Sequence, residues 1–238
     1  MMYLLFAAAG VLCGLALIWI LNRMPSRCFC DYDETPDERH SAPRVFYHKH
    51  GLISALVLAA AFALLSIRFG LGLTAIGLCV FCALLVMIAL SDLRYCIIPD
   101  ELIIAGCVAA VLAVLPGVLS GDGLWNRVDP ALGCLAGAGF IFCINLVGRI
   151  VYHKDTLGMG DLKLMAICGI ACGLRGIVIA ALLGVFIAGL FFAIAIALKK
   201  LNREQYMPLG PFLVCGTIAT LCFQTAIDAV LDWYISLI

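Results

Sequence analysis

Long apolar runs separated by short polar stretches are the main feature of this 238-residue chain. Most of the runs reach the roughly 17–25 residues that a helix needs to cross a bilayer. The pattern predicts an all-α, polytopic membrane helix bundle of about eight transmembrane helices, forming a single membrane domain over 1–238. The runs lie near 2–21, 51–69, 71–91, 102–119, 131–151, 161–173, 176–198 and 211–229.

The first run predicts a membrane helix rather than a cleaved signal peptide. No basic segment precedes it, and "NRMPSR" follows it in place of a small-residue cleavage site.

Residues 161–198 are too long for one crossing. A continuous helix of this length would extend about 57 Å, nearly twice the hydrocarbon core. The sequence "GLRG" at 173–176 supplies two glycines for a break and an arginine for an outer interface. We therefore expect the chain to fold back there, which leaves a first arm of about 13 residues. That short arm would place Asp161 at or below the cytoplasmic interface.

Lysine and arginine are distributed unevenly between the two sets of loops. Twelve lie in or beside one set, and three lie in or beside the other. The positive-inside rule then makes the first set cytoplasmic and puts both termini outside. The cytoplasmic set is 22–50, 92–101, 152–160 and 199–210.

The composition is typical of a membrane protein, and the net charge limits the classes of partner that we expect. Hydrophobic residues make up 65% of the chain and mean hydropathy is +1.14, whereas soluble domains are about 45–50% apolar. Net charge is zero and no long basic tract occurs, so we expect no nucleic-acid partner. We interpret most of the thirteen cysteines as small, buried hydrophobic residues. Cys28 and Cys30, in a polar loop, are weak metal or redox candidates, because their spacing is unlike a zinc knuckle.

Two aspartates stand at unfavourable places for an anion. Asp92 ends the third run, where the helix macrodipole disfavours negative charge. Asp161 begins the short arm, and its structural interpretation is a helix N-cap. Its neighbours Gly158 and Gly160 exceed what a cap requires, since they let another backbone approach. A carboxylate at membrane depth costs roughly 2.5–3.5 kcal/mol and should face water or a partner.

The acids that follow Pro99 have a simpler explanation. Asp100 and Glu101 stand at the start of a predicted helix, where they cap its first turn and favour its dipole. Asp92 and Asp161 instead suggest a pair that shares one proton, because like charges a few ångströms apart do not both ionise. Such a pair can hydrolyse an amide, with one acid activating water and the other polarising the carbonyl.

With both acids in view, the chain resembles the type IV prepilin peptidases, the GxGD class of intramembrane aspartic proteases. Three motifs carry the resemblance, which covers about residues 85–215. They are "SDLRYCIIPD" with Asp92, "LGMGDLKLMA" with Asp161, and "MPLGPFL" at 207–213.

The resemblance implies cleavage of a short basic leader from a prepilin or pseudopilin precursor, just before its hydrophobic helix. The site would face the cytoplasm from the bacterial inner membrane, at the edge of the lipid bilayer. Asp92 and Asp161 would be catalytic, with no cofactor for proteolysis. Substrate binding or site support would fall to Gly158, Gly160, Lys163, Pro99, Pro208, Gly210 and Pro211.

The first loop departs from the family. Many bacterial members carry a larger cytoplasmic domain there, with two CxxC pairs that bind zinc, and also N-methylate the product from S-adenosylmethionine. Here 22–50 is short and holds only Cys28 and Cys30. Methyl transfer therefore remains an alternative rather than an expectation. The acidic run 31–38 is either an attractor for a basic leader or a solvated loop.

Two other classes of protein remain open. A proton-coupled transporter would account for intramembrane acids, but it predicts further ionisable residues through the spans. Asp228 and Asp232 instead fall near the outer end of the last helix. A non-catalytic secretion component would keep the fold without needing both acids.

Overall fold

The structure is a computed structural model that describes residues 2–30, 47–120, 123–152, 158–199 and 208–236. Within these residues it contains helices and no strand, which confirms the all-α, multi-pass bundle. Each of seven helices is long and apolar enough to cross a membrane. They are α1 (Met2–Arg23), α2 (Tyr47–Phe69), α3 (Leu73–Tyr95), α4 (Asp100–Ser120), α5 (Leu124–Tyr152), α6 (Met159–Ala197) and α7 (Gly210–Ile235), with a 3-10 helix at Ser26–Phe29.

Helix α6 contains the predicted break. Gly173 has φ 71° and ψ 179°, a conformation suited to glycine, and divides α6 into a first arm, 159–172, and a second arm, 174–197. A Cβ added to Gly137 of α5 would contact the carbonyl oxygen of Met165 and lie 3.0 Å from Cγ1 of Ile177. Met165 and Ile177 belong to different arms, so the arms lie side by side and the chain folds back at Gly173.

The count of eight transmembrane helices treats those two arms as separate crossings. The structure shows the fold-back, while the crossing of a membrane by each arm stays a prediction. The placement of both termini outside also stays a prediction.

One predicted boundary is wrong. The polar stretch 120–130 was expected to be a turn, but α5 begins at Leu124 and includes Pro130. The residues from Leu124 to Asp129 mix polar and apolar side chains, so a hydropathy pattern excludes them although nothing prevents them from being helical. The extra turns bring Asp129 to Gly173, where its carboxylate accepts a hydrogen bond from the Leu174 N–H at 3.0 Å.

Helix α3 is the centre of the bundle. Buried residues make up 67% of its membrane-length stretch, against 39% or less in each of the other six helices. It contacts α1, α2, α4 and α7. Because Asp92 lies in the last turn of this helix, the fold itself places that acid inside the protein.

The start of the first loop packs on the same end of α3. Phe29 is fully buried, and its ring centroid lies 5.2 Å from that of Tyr95. The 3-10 helix therefore covers the end of α3 that carries Asp92. We call this region the Asp92 end, and the opposite end of the bundle, around Gly173, the Gly173 end.

Candidate active site

Asp92 is positioned by the turn that ends α3. Cys96 adopts a left-handed conformation, φ 55°, and its N–H donates to the Asp92 carbonyl at 2.8 Å. The Ser91 hydroxyl donates to the Ile97 carbonyl at 2.8 Å and closes the turn. These bonds satisfy backbone groups that a helix end leaves free. The Asp92 side chain is left inside the bundle, with the residue only 5% exposed.

Asp161 lies in the first turn of α6 and is 8% exposed. The N-cap expectation is wrong in detail, because Gly158 is the N-cap and Asp161 is the third helical residue. The Asp161 N–H donates to the Gly158 carbonyl at 3.2 Å, and its carboxylate accepts a hydrogen bond from the Gly158 backbone. An acid at this position reaches back to the cap, as in a capping box.

The two acids belong to one electrostatic cluster. The Asp92 and Asp161 carboxylates are close enough to interact electrostatically, although 69 positions separate them in the chain. Among the residues that the structure describes, neither forms an ion pair. When no cation lies between two buried carboxylates, their free energy is lowest if they share one proton.

Gly210 joins the third motif to this pair. Its N–H, at the start of α7, donates to Oδ2 of Asp92 at 3.0 Å in a buried contact. A Cβ at Gly210 would lie 2.5 Å from that oxygen, so a side chain there would displace the carboxylate or the start of α7. Pro211 follows at the second helical position, where proline costs no hydrogen bond. The Pro208–Pro211 loop thus presents a backbone donor that fixes the Asp92 carboxylate.

The two glycines of the GxGD element have different surroundings. A Cβ at Gly160 would lie 3.1 Å from Cβ of Ile98, in the turn after Asp92. The space beside Gly160 is therefore filled by Ile98 and is not room for a substrate. A Cβ at Gly158 would meet nothing closer than 3.9 Å, and one of the atoms at that distance is Oδ2 of Asp161. Of these two glycines, Gly158 is the one with open space beside it, and that space adjoins Asp161.

Lys163 and Asp100 form an ion pair, with Nζ 2.7 Å from Oδ1. Asp100 still stands in the first turn of α4 as expected, but the sequence interpretation did not pair it with Lys163. Buried Pro99 precedes it, and the Pro99 carbonyl accepts the N–H groups of Leu102 and Ile103 at 3.1 and 3.2 Å. Pro99 therefore starts the helix that presents Asp100.

The remaining candidates are Cys28 and Cys30, which flank Phe29 at the 3-10 helix. The Cys30 thiol donates to the Ser26 carbonyl at 3.3 Å. No group of three or more histidine, cysteine, aspartate or glutamate side chains suited to a metal occurs in the described part of the chain. The acidic run 31–38 falls outside the described residues.

The fold and this cluster define a multi-pass membrane protein that holds two buried aspartates at one end of its helix bundle. A sequence profile of the type IV leader peptidase family matches residues 79–194, which include both acids. Over these matched residues, the chain is similar to this family.

Several bacterial proteins named prepilin leader peptidase/N-methyltransferase are similar to this chain. The one from Bacillus subtilis is 29% identical over 76% of this chain and 68% of its own length. Those from Xanthomonas campestris and Escherichia coli are 31% and 30% identical, over 61% and 59% of this chain and 49% and 60% of their own lengths. The chain thus spans between about half and two thirds of these relatives. No solved structure matches.

Proposed function

We propose that this protein is a membrane aspartic endopeptidase that removes the short basic leader from type IV prepilin or pseudopilin precursors. One observation carries the proposal: two buried aspartates from distant motifs lie close enough to interact electrostatically, without a cationic partner among the described residues. Two buried acids without a cationic partner lower the stability of the fold, so a structural role does not explain them. Acid-base catalysis can use such a pair directly.

The proposed reaction uses the two carboxyl groups in opposite protonation states. The ionised acid takes a proton from water while the water oxygen attacks the scissile carbonyl carbon, and the protonated acid donates to the carbonyl oxygen. The resulting diol then loses a hydroxyl proton to the second acid as the C–N bond breaks, and the first acid protonates the leaving nitrogen. Both acids return to their starting states, and water is the only co-reactant.

The surroundings of the pair suggest how each neighbour contributes. The Gly210 N–H orients Asp92, so that one oxygen stays free for the reaction. The open space at Gly158 would admit the substrate backbone beside Asp161. Pro99, Pro208 and Pro211 fix the turns that hold these groups. The residues over 85–215 would then form the catalytic core of a single membrane domain.

We place the site at the cytoplasmic face of the bacterial inner membrane. The positive-inside distribution of Lys and Arg supports this orientation. The apolar helix of the precursor would remain in lipid while its basic leader stays in water. A substrate held in this way presents its scissile bond at the depth of the two acids.

The bifunctional enzyme is a second candidate, because the relatives' names include N-methyltransferase. In this candidate S-adenosylmethionine would supply the methyl group. No residue of this chain is assigned to its binding, and the short first loop is the reason that we rank peptidase activity first.

Co-expression with a candidate precursor, followed by intact mass measurement, tests the proposal. The resemblance to the prepilin peptidases implies a glycine before the scissile bond. We expect loss of the leader mass, and no loss when that glycine is replaced by a bulky residue. Recovery of intact precursors from membranes that contain the protein would contradict the peptidase assignment. A mature product that carries an added methyl mass would support the second candidate, and an unmodified terminus in the presence of S-adenosylmethionine would exclude it.

A further inference from the structure

We propose that Asp100, paired with Lys163, is a positioning residue that holds the helix of Asp161 against the turn of Asp92. The inference rests on the proposed function, because positioning matters only if the two acids react together. It assigns a part in the reaction to Asp100, which the sequence explains as a helix-capping acid.

The Lys163–Asp100 ion pair lies between the motif of Asp92 and the motif of Asp161. Asp100 is the first residue of α4, directly after the turn that follows Asp92. Lys163 follows Asp161 by two positions, which places the two side chains about 200° apart around the helix. Lys163 therefore points away from Asp161 and reaches Asp100, with Nζ and Oδ1 2.7 Å apart. The pair joins the two motifs on the side opposite the acids.

Apolar contacts also join α4 and the turn before it to the first arm of α6. Ile98 packs against Gly160, and further along the helices a Cβ at Gly106 of α4 would lie 2.9 Å from Cδ1 of Ile167 in the first arm. These are apolar contacts, which supply no directional bond between the helices. Lys163–Asp100 is the one ion pair of the Asp92 end among the described residues. A charged hydrogen bond has the directionality to fix the register between α4 and the first arm.

A contribution to folding stability does not explain the Lys163–Asp100 ion pair. Its side chains are 40% and 41% exposed, and exposed ion pairs contribute little to folding. A shift of about 1 Å between reacting groups, however, lowers a rate by about 10²-fold. A weak contact that sets register can therefore have a large effect on turnover and a small effect on unfolding.

Steady-state cleavage of a precursor by purified variants in lipid vesicles tests the inference. We expect Asp100→Asn and Lys163→Met each to lower kcat about 10–100-fold, as the loss of supporting contacts does elsewhere, with KM changed less than about two-fold. The double variant should be no slower than either single one. Lys163→Arg should keep most of kcat, because it restores the ion pair.

Glu101→Gln is the matched control. Glu101 is exposed in the same first turn of α4, so its replacement removes an equal charge from the helix terminus without touching Lys163. We expect a kcat within about two-fold of the parent. If Asp100→Asn behaves like Glu101→Gln, or if Lys163→Arg falls as far as Lys163→Met, the positioning role is overturned.

A second measurement does not depend on activity. Cysteines placed at Asp92 and Asp161 can be cross-linked by oxidation, and the joined peptides located by mass spectrometry. We expect Asp100→Asn to lower the cross-linking yield and Glu101→Gln to leave it unchanged. An unchanged yield in Asp100→Asn overturns the inference. A parent protein that cleaves no precursor, with a yield that still depends on Asp100, refutes the proposed function and leaves the positioning role standing.

Discussion

The two ends of the bundle treat aspartates in opposite ways. At the Gly173 end, Arg175 pairs with Asp228 at 3.4 Å and with Asp232 at 2.9 Å, and Asp129 accepts the N–H of Leu174. At the Asp92 end, Asp92 and Asp161 are buried and close enough to interact electrostatically, and neither forms an ion pair with another described residue.

The difference separates structural acids from reactive ones. An acid that neutralises a cation or caps a helix has a structural explanation. Two buried acids that repel each other destabilise it, so their proximity is explained by chemistry rather than by folding. Backbone donors from Gly158 and Gly210 support the reactive pair without removing its negative charge.

The largest expected effect separates the two ends by activity. Asp92→Asn and Asp161→Asn should each lower the cleavage rate by at least about 10²–10⁴-fold, since each removes one acid-base group. Asp228→Asn, the same change at the Gly173 end, should leave the rate within about two-fold of the parent. Quantitative mass spectrometry of a precursor gives these rates. Equal losses at both ends would erase the distinction between them.

A smaller loss should follow when the support of Asp92 is disturbed. Gly210→Ala places a Cβ 2.5 Å from Oδ2 of Asp92, so the carboxylate or the start of α7 must move. We expect a loss of about 10²-fold in kcat, with the protein still inserted. Gly139→Ala is the control, because a Cβ there meets no atom within 4 Å. Parental turnover by Gly210→Ala would show that the donor is dispensable.

At the Gly173 end the expected effect is on stability. Asp129→Ala leaves the Leu174 N–H without its acceptor at the start of the second arm. We expect unfolding in detergent to become easier by roughly 0.5–1 kcal/mol, the usual cost of losing a helix cap. Cleavage below the unfolding temperature should stay parental. A loss of activity without a loss of stability would assign Asp129 to the site instead.

The smallest effect is expected for Asp232→Asn. Both partners of the Arg175–Asp232 ion pair are largely exposed, at 48% and 67%, so solvent already screens the interaction. The midpoint of thermal unfolding and the cleavage rate should both be indistinguishable from those of the parent. A clear shift in either would show that the charges at this end matter more than their exposure implies.

Much of the fold follows from hydropathy, since apolar runs of sufficient length fix helices in lipid. The need for a break followed from length, because 161–198 exceeds one crossing, and its position followed from the two glycines of "GLRG" at 173–176. The start of α5 did not, since Leu124–Asp129 is helical without being apolar. Hydropathy therefore predicts the apolar part of a helix better than its ends.

The site was predictable residue by residue but not contact by contact. Asp92 and Asp161 stood out because each occupies a poor place for an anion. The bond from Gly210 to Asp92 joins residues 118 positions apart, and that from Lys163 to Asp100 spans 63. No local pattern encodes such pairings, because they depend on how α3, α4, α6 and α7 pack. For the same reason one shared role is predicted for Gly158 and Gly160, whereas their neighbours in the structure differ.

Phe29 was missed altogether. A lone aromatic in a polar loop has no periodicity to place it, and only its contact with Tyr95 shows that it covers the Asp92 end. The one clue in the sequence is that Phe29 lies between Cys28 and Cys30. A buried aromatic side chain there would hold these two residues in place.

The central claim is that Asp92 and Asp161 act as one unit, and the rate of precursor cleavage by the Asp92→Asn/Asp161→Asn double variant tests it most directly. Groups that act together are strongly non-additive, so the account predicts that the double variant is no slower than the slower single variant. Losses that multiply, or a single variant that cleaves at the parental rate, would contradict it.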